Sequence, residues 1–205
     1  MNDEPKPTSG TVLMQQAYEQ LSEGKFEEAV ETFSAAVALE PQEAAGLRGR
    51  GLAYIELKKW ALAVADFEVA STLAPEDMDN RVDLGISLAR DNRIYPAIEV
   101  FETLLVQQPD CVRGHLELGL LHLRLGAIPK ARQHLQDALA HRPTLAQRRL
   151  IEAVLREQDK MDHKRFYRPD FEALHQQRQG QRVSWSWIQT VRALLKRFRG
   201  PSAGT

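Results

Sequence analysis

Residues 44–77 read AAGLRGRGLAYIELKKWALAVADFEVASTLAPED: two short amphipathic helices joined by a tight turn at Lys58-Lys59 and closed by Pro75. The same chemistry returns 34 residues away in either direction. Prolines stand at 41, 75, 109 and 143, alanines at 29, 63, 97 and 131, and Phe33, Phe67, Phe101 and Leu135 keep the same step. So do Ala17, Gly51, Gly85 and Gly119; Phe26, Trp60, Ile94 and Ile128; and Ala36, Ala70, Leu104 and Ala138. Six register positions held over four copies exceed what composition produces, and a 34-residue period marks a helical repeat array. The units fall at 10–43, 44–77, 78–111 and 112–145.

Within a unit the positions have physical jobs. Leu47, Tyr54 and Leu57 lie at helical spacing in the first helix, and Gly51 sits where another helix must come close. The second helix is expected to bury Ala29, Ala63, Ala97 or Ala131 against that small residue. Phe33, Phe67, Phe101 and Leu135 then fill the space towards the next unit. Gly24, Asn92 and Gly126 are residue types that tolerate the left-handed conformation ending a helix. Each unit closes on a proline, which cannot continue the helix.

The residues that carry this pattern resemble the tetratricopeptide repeat family: small at 51, aromatic or apolar at 60, Ala at 63, Phe at 67, Ala at 70 and Pro at 75. The resemblance covers residues 10–145 and implies an all-α, right-handed α-solenoid of four helical hairpins. Leu13, Leu47, Arg81 and His115 stand where the family often has Trp; Gln20, Leu88 and His122 stand where it often has Tyr, as Tyr54 does. After Pro143 the period breaks. Thr144-Leu145-Ala146-Gln147 forms a capping box opening a helix over 146–163, whose stripe Leu150, Ile151, Val154 and Leu155 can cover the last repeat. Residues 1–9 read as a disordered leader.

Composition narrows the function. Apolar content of 43% and charged content of 27% are those of a soluble globular protein. The net charge of −1 conceals an acidic body and a basic end: 16 Lys+Arg against 23 Asp+Glu in 1–155, and 11 against 5 in 156–205. A single cysteine, Cys111, and an N-terminus without an apolar run fit a cytoplasmic protein. Gly46, Gly49 and Gly51 lack phosphate-loop spacing. His115 and His122, like His134 and His141, are seven residues apart on one helix face with no third ligand nearby. No enzyme activity, cofactor, metal or nucleic acid is expected.

In the family the resemblance implies, the first helices line a concave groove that takes peptides or helices. The matching positions here supply Met14, Tyr18, Leu21, Leu52, Ile55, Val82, Ile86, Leu116, Leu120 and Leu123, with Arg48, Arg90, Arg113 and Arg124 as rim charges. They read as an apolar trough for a protein or peptide client. The carboxylate clamp of the co-chaperone branch is absent: Met14, Tyr18, Gly49, Asp79 and Asp83 hold its positions, and the two acids would repel such a ligand.

The basic extension 164–205 contains an amphipathic helix at 187–199. Trp185 just ahead of it and Trp187, Ile188, Val191, Leu195 and Phe198 within it are apolar, beside Arg192, Lys196 and Arg199. It is too short and too charged to span a bilayer. Packing back on the array, binding to a partner protein, autoinhibition of a chaperone-like groove, and peripheral contact with an anionic membrane in an assembly role remain open readings.

Overall fold

The computed structural model of the chain describes residues 8–166. Within them lie α1 (Ser9–Ser22), α2 (Phe26–Leu39), α3 (Ala44–Glu56), α4 (Trp60–Leu73), α5 (Met78–Arg90), α6 (Ile94–Gln107), α7 (Val112–Arg124), α8 (Ile128–Ala140) and α9 (Leu145–Phe166). Consecutive helices pack on one another from α1 through α9, giving an all-α stack of four hairpins and a closing helix. Thr8 caps α1 by accepting from the Thr11 amide at 3.2 Å, so the helix starts one residue inside the stretch read as leader.

The period is written in the backbone. Gly24, Lys58, Asn92 and Gly126 hold φ of 79°, 58°, 67° and 74°, one per repeat at the same register. The amide after each reaches back to Gln20, Tyr54, Leu88 or His122 at 2.9 Å, which satisfies a carbonyl the helix end leaves free. Lys58 was not among the residue types expected there. The register imposes the turn, and a side chain in this region costs about 1 kcal/mol. Before Pro41, Pro75 and Pro109 the chain is pushed out of helix, at φ −130°, −129° and −132°. The last repeat departs: α8 stops at Ala140 and Arg142 takes φ 57° ahead of Pro143.

Ala29, Ala63, Ala97 and Ala131 are fully buried, as are Phe33, Phe67, Phe101 and Leu135. Their neighbours differ from expectation. It is the large residue, more than the alanine, that covers the first-helix glycine of its own hairpin. A Cβ on Gly51 would lie 2.9 Å from Phe67 Cζ, one on Gly85 2.5 Å from Phe101 Cζ, and one on Gly119 2.7 Å from Leu135 Cγ. Phe33 also reaches into the next repeat, where a Cβ on Gly49 would meet its ring at 2.3 Å. Between α3 and α4, Arg50 holds the buried Asp66 with paired bonds of 2.8 and 2.7 Å.

The capping box closes as its residues dictate. The Thr144 amide donates to Gln147 Oε1 at 2.9 Å, and the Gln147 amide to Thr144 Oγ1 at 3.3 Å. The helix it opens, α9, lays Ile151 and Val154 fully buried against α8, with Leu150 and Leu155 beside them. The amphipathic helix expected at 187–199 lies outside the described residues.

Candidate functional site

The first helices of successive hairpins touch, α1 with α3, α3 with α5 and α5 with α7, while the second helices make no contact of that extent. The array therefore curves with α1, α3, α5 and α7 on its inner side. At the middle of this wall Arg48 on α3 and Arg113 on α7 converge on two carboxylates of α5. Arg48 Nη2 lies 3.4 Å from both Asp79 Oδ2 and Asp83 Oδ2; Arg113 reaches Asp83 Oδ1 at 3.2 Å and Asp79 Oδ1 at 3.8 Å. Asp79 is exposed and Asp83 buried. Burial lifts the Asp83 carboxyl above its ordinary range, and the two guanidiniums oppose that lift without cancelling it. These acids, expected to repel a carboxylate ligand, are already engaged by arginines.

Tyr18 stands at one end of the wall, 39% exposed. Its ring meets Phe33 edge-on at 4.9 Å and its hydroxyl donates to the Ala45 carbonyl at 3.2 Å. Burial raises the phenol's pKa, with Arg48 pulling the other way. Met14, Leu21, Leu52, Ile55, Ile86 and Leu120 are half-buried. Val82, Leu116 and Leu123 correct the expected trough: they are shut into the core, 2%, 6% and 1% exposed, Val82 within the cluster that joins the middle repeats and Leu116 and Leu123 within the one that α7 shares with α8 and α9. Arg90 is exposed on α5. Arg124 is a tie as much as a rim charge, since it donates to the Ala89 carbonyl at 2.8 Å and to Asn92 Oδ1 at 3.1 Å. Large exposed apolar residues sit instead largely on the second helices, among them Leu39, Leu62, Val69, Tyr95 and Val106. The inner wall is thus a mixed apolar and charged surface rather than an open oily trough.

A tetratricopeptide repeat profile matches residues 14–77 and a second matches residues 84–156. The chain belongs to the tetratricopeptide repeat family. It is similar to BBSome complex member BBS4 of Bos taurus, 29% identical over 121 residues that make up 59% of this chain and 23% of that protein. The chain thus spans less than a quarter of that relative's length. Its fold is similar to that of MamA 41-end from Desulfovibrio magneticus RS-1, with TM-score 0.62 and 21% identity over 65% of this chain and 75% of the other. It is also similar to the first TPR of Spaghetti (RPAP3) bound to an HSP90 peptide, with TM-score 0.55 and 22% identity over 57% and 93%. Among the described residues no helix is long and apolar enough to cross a membrane.

A second cluster lies inside the fourth tetratricopeptide hairpin, where the spacing predicts two histidine pairs with no third ligand nearby. The structure brings them together between α7 and α8. The His122 and His134 rings stack at 5.5 Å and 8°, and His115 and His141 at 5.6 Å and 11°. His115 Nδ1 and His134 Nδ1 stand 3.3 Å apart. Burial keeps the His122 and His134 imidazoles below their ordinary pKa, assisted at His134 by its histidine neighbours and at His122 by Lys130. The signal was present in the register: His115 and His122 replace the aromatic residues the family often places there. An i, i+7 pair shares one helix face, but only the rotation of α7 against α8 brings the two faces together. The candidate residues Trp185, Trp187, Ile188, Val191, Arg192, Leu195, Lys196, Phe198 and Arg199 lie outside the described residues.

Proposed function

We propose that this tetratricopeptide protein is a non-enzymatic adaptor that holds a segment of a partner protein along its inner wall. One observation carries the reading. Four first helices line the inner curve and present Met14, Tyr18, Leu52, Ile55, Ile86 and Leu120, none of them fully buried, around the Arg48–Asp83–Arg113 cluster. Half-buried apolar side chains beside oriented charges suit an amphipathic helix or extended segment. A fold neighbour whose name records a bound peptide supports the same class of partner. Because Asp79 and Asp83 are held by arginines, recognition of a bare terminal carboxylate is not part of this reading. A cytoplasmic site of action fits the single cysteine.

The test pairs Leu52→Asp with Leu120→Asp in the full chain. Pull-down of partners from extract should be lost while circular dichroism stays helical. Arg113→Glu, which also removes a partner of the buried Asp83, should weaken the same partners, with circular dichroism checking that the fold survives. A partner set that survives both the double change and Arg113→Glu would show that the inner wall is not the docking surface.

A further inference from the structure

The fourth hairpin carries a site that its role as a packing unit does not require. His115 on α7 and His134 on α8 point their Nδ1 atoms at each other across the hairpin, 3.3 Å apart. Asp137, one turn after His134 on α8, is the third member: the donor atoms of His115, His134 and Asp137 all lie within 4.8 Å of one another. We propose that His115, His134 and Asp137 form a binding site for a divalent first-row transition ion of the zinc class, with water completing a tetrahedron.

Three observations support this assignment. The first is the orientation of His115. Its Nε2 lies 2.8 Å from the Pro109 carbonyl, which can only accept, so Nε2 carries the proton and Nδ1 presents a lone pair. A ligating histidine held by a backbone carbonyl through its other nitrogen is the usual outer-shell arrangement of a metal site. The second is spacing. Two nitrogens bound at about 2.0–2.1 Å on a tetrahedral ion stand roughly 3.3–3.4 Å apart, which matches the separation of the pair. An imidazole-to-imidazole hydrogen bond is ordinarily shorter, at about 2.7–3.2 Å. The third is support and access. His122 and His141 stack on the two ligating rings and fix their planes, while His134 and Asp137 are only half-buried, leaving an open side for the ion and its water. Two imidazoles and a carboxylate favour Zn²⁺ over Mg²⁺ or Ca²⁺, which take oxygen donors. The bound ion would clamp α7 to α8.

The experiment uses the full chain stripped with chelator. Titration with Co²⁺ should produce the visible absorption of a tetrahedral ion at one equivalent, displaced by Zn²⁺, and Zn²⁺ but not Mg²⁺ should raise the thermal midpoint. Asp137→Asn and His134→Gln should each weaken Zn²⁺ binding by more than about tenfold, since even outer-shell partners are worth about that much. His141→Asn, which stacks without ligating, should retain the one-equivalent stoichiometry. Circular dichroism checks each variant's fold, and the half-exposed Asp137 serves if His134→Gln does not fold. Absence of saturable one-equivalent binding, or Zn²⁺ binding undiminished in Asp137→Asn, overturns the proposal. The outcome is independent of partner capture by the inner wall.

Discussion

Between α3 and α4 the Phe67 ring lies over Gly51, between α5 and α6 the Phe101 ring lies over Gly85, and between α7 and α8 Leu135 lies over Gly119. Along the first helices, Thr11, Ala45, Asp79 and Arg113 share one register and almost nothing else. The seam within a hairpin meets only its own partner helix at a fixed close distance, so the same large-on-small solution recurs. The inner wall meets the neighbouring repeats and whatever the array binds, so its residues are free to differ. Periodicity therefore reports the seam, and departures from it report the places where the chain does something particular to itself.

The comparison is broken most directly in the seam. Phe101→Ala empties the fully buried site beneath Gly85 and should cost about 3–5 kcal/mol, read as a lower denaturation midpoint, with loss of cooperativity if the stack separates there. Arg50→Met strands the buried Asp66 between α3 and α4 and should cost roughly 2–3 kcal/mol, less than a fully enclosed pair because Arg50 is partly open to water. Gly85→Ala forces a methyl against Phe101 at 2.5 Å. Overpacking of about 1–3 kcal/mol, offset by about 1 kcal/mol of helix propensity, should leave it destabilising by denaturant titration. Gly51→Ala, with 2.9 Å to Phe67, should be milder in the same assay.

The inner wall should respond least, and through pH. Asp83 has its pKa raised by burial, so its contribution to stability is complete below 3.8 and is lost as pH rises through the folded value. Asp83→Asn keeps the shape and cannot ionise. Its stability relative to the native chain should therefore climb with pH across that acidic window, by paired thermal melts. A flat difference would mean that Arg48 and Arg113 fully compensate the buried charge.

Much of this was legible in the chain. The 34-residue step located the hairpins, and the glycines at 51, 85 and 119 marked the close approaches. Thr144 and Gln147 announced the start of α9, and all of these follow from local rules. The left-handed Lys58 was hidden because its residue type argues against the turn that the register imposes. Val82, Leu116 and Leu123 were placed on an open wall because a helical wheel shows which side a residue faces and not how near the next helix comes.

From the amino-acid order alone come the family, the four hairpins, their glycine-lined seams and the cap, since each depends on contacts a few turns apart or on a strict repeat. The tertiary structure decided which inner residues stay open, that Asp79 and Asp83 are held by Arg48 and Arg113, and that His115, His134 and Asp137 meet. Those results depend on the separation and rotation of neighbouring helices. These are set by packing across repeats, and no stretch of sequence contains them.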